Sequence, residues 1–153
     1  RIYRRSLYIY WKRTSPHPMM TLFDAPSRET SCVQRSRTNT SLQSLALFNE
    51  TQRVEASRKL AERLLREKED DKHRIDFLFQ ILASRKPSQI EHDALSGLLD
   101  SAKNRFSNAP ESAESLLSTG LAKLDSSLDF RDVAAWTQVS STLLASDPVI
   151  LLY

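Results

Sequence analysis

The single cysteine of the chain, Cys32, lies in a short stretch with Arg28, Arg35 and Arg37. Neighbouring guanidinium groups make a thiol more reactive, and they can also bind an anionic ligand directly. The structural alternative is a small cysteine buried under a loop whose carbonyls the arginines hold. Because free cysteines are most often simply buried, we favour an arginine-braced loop over a reactive free thiol or an anion site.

The N-terminal part of the chain is basic and rich in aromatic residues. Residues 1–40 carry a net charge of +6, whereas the remaining 113 residues carry −3. Three aromatic side chains lie between two pairs of cations there: Arg4, Arg5, Tyr8, Tyr10, Trp11, Lys12 and Arg13. Such a pattern is typical of nucleic-acid surfaces, but no known nucleic-acid-binding motif accompanies it, so non-specific nucleic-acid binding through this arm is only the second alternative. Binding of an anionic glycan through the same arginines is a further alternative.

No motif in the chain indicates a reaction, a metal or a cofactor. The three histidines, His17, His73 and His92, lack the i, i+4 spacing of a helical metal site. One cysteine excludes an internal disulfide, and there is no CxxCH sequence for haem attachment. The longest apolar runs are far shorter than the ~20 residues that cross a bilayer. We therefore expect no cofactor in this chain and no membrane span, and we lean against an enzyme.

The elements that carry these residues are predicted to be helical. Only two glycines, with much Leu, Ala, Ser, Glu and Arg, favour a mostly all-α fold of five to six helices packed as an irregular bundle. Residues 1–14 fit helical spacing or a buried strand, and we favour the helix. Residues 15–41, with three prolines and many Ser and Thr, predict a long ordered loop. The expected organisation is an arm at 1–41 that belongs to the same domain, helices at 42–146, and a divergent tail at 147–153.

The helical part divides at recognisable starts and stops. A short helix from about Leu42 to Asn49 precedes one that ends near Glu67, whose apolar arc lies opposite a solvated outer face and comprises Val54, Leu60, Ala61, Leu64 and Leu65. A second apolar stripe comprises Ile75, Leu78, Phe79 and Leu82. The sequence SQIE at 88–91 matches a capping box, and the helix that it starts has a predicted inner face of Ile90, Ala94, Leu98, Ala102 and Phe106.

Two further helices complete the prediction. Pro110 at a first helical position and Gly120 as a C-terminal cap bracket a helix over 111–119. The final helix carries Trp136, Val139 and Leu143 on one face and stops before Pro148.

Several of these segments together resemble a known family, the C-terminal domain of unknown function of large planctomycete proteins that often carry an N-terminal cytochrome-c-like domain. The resemblance covers about residues 3–145 and is carried by YRRSLYIYWKRTSP (3–16), FDAPSRE (23–29), Cys32, RTNTSLQSLALFN (37–49), VEASRKLAERLL (54–65) and LDSSLDFRDVAAWTQVSSTLL (124–144).

The resemblance implies the C-terminal piece of a larger exported bacterial protein, and it supplies no catalytic residues. The sequence starts at Arg1, not at a methionine, so we expect the native N-terminus to lie upstream. Any haem would belong to an upstream domain, and the location would be periplasmic or at the cell surface. We expect a non-catalytic structural or interaction domain whose arm packs on upstream domains. The alternative is part of an enzyme or glycan-binding site in which the arginine-rich loop binds an anionic group.

Overall fold

The structure, a computed structural model, describes residues 10–12 and 14–150, and the chain divides into two compact units, Arg1–Leu47 and Phe48–Tyr153. The described residues form eight helices and no strand, which confirms the predicted all-α class. Six helices have seven or more residues, in agreement with the expected five to six. None of the helices within these residues is long and apolar enough to cross a membrane. The predicted boundaries at residues 41 and 146 stay predictions.

The first unit contains the short helix α1 (Pro18–Leu22) and most of α2 (Ser41–Asn49). The helix predicted over residues 1–14 lies largely outside the described residues, and Tyr10–Lys12 and Thr14 are not helical. Helix α1 falls within the segment that was expected to be loop throughout. Pro18 is its first residue, where the fixed φ of proline favours a helix start.

The second unit contains α3 (Thr51–Glu67), α4 (Asp71–Ala83), α5 (Gln89–Asn108), α6 (Pro110–Leu117), α7 (Phe130–Leu144) and α8 (Asp147–Ile150). Helix α7 is central because it packs against α3, α5 and α6, and it buries Trp136, Val139 and Leu143 as predicted. The stripe of α4 is also confirmed, with Ile75, Leu78 and Phe79 buried. In α3, Ala61 and Leu64 are fully buried and Leu60 and Leu65 pack against the same core.

The capping box predicted at Ser88 is present and starts α5. The Ser88 hydroxyl accepts from the amide of Glu91, whose carboxylate accepts from the amide of Ser88 at 2.8 Å. Pro110 is the first residue of α6, also as predicted. That helix ends at Leu117 with Ser118 as its C-cap, so Gly120 is not its cap. Gly120 has φ +96° and faces the Glu55 carboxylate, where a Cβ atom would overlap the side chain.

The predicted inner face of α5 is wrong in its first half. Leu95 and Leu99 are buried together with Ala102 and Phe106, whereas Ile90 is 83% exposed. At 3.6 residues per turn, positions 90 and 106 lie about 160° apart around the helix, but 95 and 106 lie about 20° apart. A stripe that repeats every four residues drifts off one face, and the true stripe mixes steps of three and four.

The outer face of α3, predicted to be solvated, is partly buried. Glu55, Arg58 and Glu62 are each at most 3% exposed. Glu55 accepts from the amides of Leu121 and Ala122, and Arg58 donates to the carbonyls of Leu117 and Ala122. Further along α3, Glu62 pairs with Lys59 at 2.7 Å. These charged side chains bond the backbone at the end of α6 and in the loop after it, which offsets most of the cost of their burial; only Nε of Arg58 has no partner among the described residues.

Candidate interaction site on the N-terminal arm

The segment FDAP of the arm stops helix α1. Asp24 adopts the left-handed conformation, φ +55°, just after the C-cap Phe23. The amide of Asp24 donates to the Thr21 carbonyl, and that of Ala25 donates to the Met20 carbonyl at 2.8 Å. This is the Schellman pattern, usually built with glycine at the left-handed position. Aspartate tolerates that conformation better than most residues, and here its side chain is available for a second task.

The carboxylate of Asp24 binds Thr38, fourteen residues further along the chain. It accepts from the amide of Thr38 at 2.8 Å and from its hydroxyl at 2.7 Å. These hydrogen bonds from Thr38 lower the pKa of Asp24 below its ordinary value, and the nearby charge of Arg35 contributes in the same direction. The ionised carboxylate therefore closes a loop between residues 24 and 38.

Gln43 connects the start of α2 to Leu22 and to Thr38. The Thr40 hydroxyl accepts from the Gln43 amide at 3.3 Å, and the Gln43 side-chain oxygen accepts from the Thr40 amide at 3.0 Å, which is a second capping box. The Gln43 side-chain nitrogen donates to the Leu22 carbonyl at 2.8 Å and to the Thr38 hydroxyl at 3.1 Å. Gln43 is 7% exposed, so its amide is buried with all of its polar atoms bonded.

Arg35 adds the third connection. Its Nε donates to the Asp24 carbonyl at 2.9 Å, and a terminal nitrogen donates to the Phe23 carbonyl. The fork of the guanidinium thus takes up two successive carbonyls at the end of α1. We call this set of hydrogen bonds, made by Asp24, Arg35, Thr38 and Gln43, the arm clamp.

The three arginines of the arm are not brought together as one group. Arg35 belongs to the arm clamp, which is the bracing geometry considered from sequence. Arg28 has φ +64°, and its guanidinium lies 5.7 Å from the centroid of the Trp11 ring. Arg37 is exposed and makes no hydrogen bond or ion pair within the part of the chain that the structure describes. Arg28 and Arg37 therefore keep open the anion-binding alternative, which stays a prediction.

Cys32 is exposed, so the expectation that it is buried under the loop is wrong. Its thiol donates to the Gln34 carbonyl at 3.3 Å. The loop around it has no apolar cover of its own: residues 26–40 are all exposed, and Val33 is fully so. The preference of free cysteine for the interior cannot act where the surrounding segment buries nothing.

The residues that organise the arm, Asp24, Thr38, Thr40 and Gln43, were not singled out from sequence. One signal was available: TSLQ at 40–43 is the same S/T-x-x-E/Q pattern as SQIE at 88–91. The pairing of Asp24 with Thr38 has no local signature, because its partners are fourteen residues apart.

Elsewhere in the described residues, charged side chains form isolated pairs and two larger networks, one of Lys59, Glu62, Arg66 and Asp125 and one of Arg74, Asp71 and Lys103. The His73 ring contacts the Asp70 carboxylate, and hydrogen bonds from His73 lower the pKa of Asp70. Among the described residues, no group of three or more His, Cys, Asp or Glu side chains is placed to hold a metal ion.

A model of one protein family matches residues 1–99 of the chain, and its description is "Protein of unknown function (DUF1553)", also named PSD1. The matched part includes all four residues of the arm clamp, α1 to α4 and the first half of α5. It ends well before residue 145, to which the resemblance was expected to extend. No match was found among curated proteins or among solved structures.

Proposed function

We propose that this chain, which belongs to the DUF1553 family of proteins of unknown function, is a non-catalytic interaction domain of a larger, exported bacterial protein. In this proposal the N-terminal arm docks onto an upstream domain of the same polypeptide, in the periplasm or at the cell surface. The planctomycete-type context and the export rest on the sequence resemblance. Any haem would be held by an upstream cytochrome-c-like domain, and this chain itself would carry no cofactor.

The observation that carries the proposal is the arm clamp. Four side chains fix the two ends of a loop whose residues 26–40 are all exposed, so the loop is shaped without burying its own residues. Surface loops with joined ends are frequently functional. A loop that is already ordered loses less conformational entropy on binding, which favours docking.

The composition of the loop also suits a contact between domains. Val33 is fully exposed, and Arg28 and Arg37 lie on the same segment. Interfaces between domains mix apolar and polar groups, and arginine is enriched in them. The Cys32 thiol donates to a backbone carbonyl, whereas a catalytic thiol needs a neighbouring base. These points favour binding over catalysis.

The reactivity of Cys32 tests the docking directly, because its thiol lies in the middle of the loop. The rate of maleimide addition at Cys32 is measured by peptide mass spectrometry in this chain alone and in the full-length polypeptide of which we propose it to be part. We expect addition to be at least tenfold slower in the full-length polypeptide. Equal rates would contradict docking of the arm.

Two controls make that comparison specific. A reporter thiol at an exposed position of α5, Ser107→Cys in a Cys32→Ser background, should react at the same rate in both polypeptides. Arg35→Lys keeps the charge and loses the fork, so it should loosen the arm clamp and weaken the protection of Cys32. Arg37→Lys alters an arginine outside the arm clamp and should leave the shape of the loop unchanged.

The anionic-glycan alternative is favoured by the exposed guanidinium groups of Arg28 and Arg37, and the chain alone suffices to test it. Retention on immobilised polygalacturonate that is lost in the double variant Arg28→Gln, Arg37→Gln would support glycan binding in place of docking. Retention on duplex DNA of any sequence that disappears as salt rises would instead indicate non-specific nucleic-acid binding through counterion release.

A further inference from the structure

A cavity of about 260 Å³ lies in the second unit, between α3, α5, α6 and α7. Part of its wall is apolar: Phe48, Val54, Phe106 and Leu116. The rest is polar and comes mostly from one side of α7: Arg105, Ser112, Thr137, Gln138, Ser141 and Thr142. A cavity with an apolar wall and a few converging polar groups is the usual form of a small-molecule site.

Four of the polar side chains in this wall have donors or acceptors that are free to bind a ligand. Within the described residues, the side chains of Arg105, Ser112, Gln138 and Ser141 make no hydrogen bond. Thr137 and Thr142 differ, because their hydroxyls donate to the carbonyls of Val133 and Gln138. The cavity therefore offers a guanidinium, a primary amide and two hydroxyls to a ligand.

The charge of the cavity indicates the class of that ligand. Arg105 is its one charged residue, and no acidic side chain lines it among the residues described. The Arg105 guanidinium lies 5.5 Å from the centroid of the Phe106 ring, which also lines the cavity. Arginine binds a carboxylate through two parallel hydrogen bonds, and amide and hydroxyl donors add to such a site.

A larger cavity of about 490 Å³ in the same unit lacks these properties. It is lined by Arg58, whose terminal nitrogens already donate to the carbonyls of Leu117 and Ala122, and by the carboxylate of Glu114. A ligand there would meet a guanidinium that already donates to two carbonyls, and a negatively charged carboxylate. Of the two cavities, only the one lined by Arg105, the Arg105 cavity, has a guanidinium that makes no hydrogen bond within the described residues.

We infer that the Arg105 cavity binds a small organic carboxylate with an apolar ring. The carboxylate pairs with Arg105 and takes further hydrogen bonds from Gln138 or Ser141, while the ring packs against Phe48, Val54 and Leu116. The volume equals that of about nine water molecules in the liquid, which fits a molecule of roughly ten non-hydrogen atoms. This site is separate from the arm and does not depend on its proposed docking.

The test is an NMR titration of the whole chain with benzoate and with benzamide, its neutral counterpart. We expect benzoate to shift the side-chain amide signals of Gln138 and the backbone amide signals of Ser112 and Ser141. Benzamide should bind at least tenfold more weakly, because it lacks the charge that Arg105 recognises. Equal binding of the two, or no shift with benzoate or cyclohexanecarboxylate at millimolar concentration, would overturn the inference.

Variants then assign the binding to the cavity. Arg105→Gln removes an exposed guanidinium and should weaken benzoate binding at least tenfold, and Arg105→Lys should weaken it less. The matched control is Arg131→Gln, because Arg131 contacts the ring of its neighbour Phe130 at 5.4 Å but does not line the cavity. Ser141→Leu should fill the cavity and abolish binding. An equal loss in the Arg105→Gln and Arg131→Gln variants would show general attraction to positive charge and refute the site.

Discussion

Different forces stabilise the interior of each of the two units of the chain. In the second unit, seventeen buried apolar residues form one core around α7. In the first unit, the described residues after α1 are mostly exposed, and the arm clamp supplies the long-range connections. The free energy of apolar burial scales with the buried area and does not depend on direction, whereas a hydrogen bond requires a particular distance and angle between two atoms. The core thus stabilises the helices, and the arm clamp specifies the shape of a loop.

The largest expected effect is a loss of core packing in α5. Leu99 is 1% exposed, and Leu99→Ala should lower the free energy of unfolding by about 2–5 kcal/mol. Leu98, which lies on the face predicted from sequence, is only partly buried, so Leu98→Ala should cost distinctly less. Chemical denaturation of the two variants measures the difference. A larger loss for Leu98→Ala would mean that α5 is rotated from the orientation described.

The next effect concerns the two glycines, for which opposite signs are expected. Gly120 has φ +96° and abuts Glu55, so Gly120→Ala should destabilise the chain by at least about 1–2 kcal/mol through backbone strain alone. Gly97 lies inside α5 with open space around it, so Gly97→Ala should stabilise the chain by about 0.5–1 kcal/mol. Thermal melts compare the two. If both substitutions stabilise, Gly120 is not needed for the approach to Glu55.

These residues show what the sequence can predict and what it cannot. Helix existence was predictable for α2 to α7, because apolar periodicity and end signals such as Ser88 and Pro110 act locally. The burial of Glu55, Arg58 and Glu62 was not, because their partners are backbone groups about sixty residues away in the loop after α6. The same limit applies to Asp24 and Thr38 in the arm. Periodicity places a charged residue on the outer face of a helix, but it does not say which loop covers that face.

A smaller effect comes from the two capping boxes, which allow a like-for-like comparison of the units. Ser88→Ala should lower the global free energy of unfolding by about 1 kcal/mol, as the loss of an N-cap does. Thr40→Ala removes the equivalent group in the arm, and we expect its effect to be local, with faster amide hydrogen exchange in the first turn of α2 and little change in the global melt.

Hydrogen exchange by mass spectrometry, with thermal melts of both variants, checks this expectation. Should Thr40→Ala lower the melting temperature as much as Ser88→Ala does, the arm would unfold together with the core. The contrast between a locally fixed arm and a cooperatively folded core would then be wrong.

The smallest expected effect is a pH dependence within the capping box at Ser88. Hydrogen bonds from Arg85, then from Ser88, lower the pKa of Glu91 to about 2 from an ordinary value of 4.5. A carboxyl whose pKa is lower in the folded chain stabilises the fold above its ordinary pKa, and this contribution is lost as the pH falls through the folded value. The Glu91 side chain is 27% exposed and its partner Arg85 is 46% exposed, so solvent screens the pair and the contribution is modest.

Thermal melts of the parent chain and of Glu91→Gln between pH 7 and pH 2 isolate this group, because all other carboxyls are common to both. We expect the parent to melt at the higher temperature near pH 7, and the difference should shrink from about pH 4.5 downwards and vanish near pH 2. In an Arg85→Gln background the same comparison should give a smaller difference at pH 7, because Arg85 makes the largest contribution to the lowered pKa. A difference that stays constant with pH would instead indicate that Glu91 acts through the shape of its side chain and not through its charge.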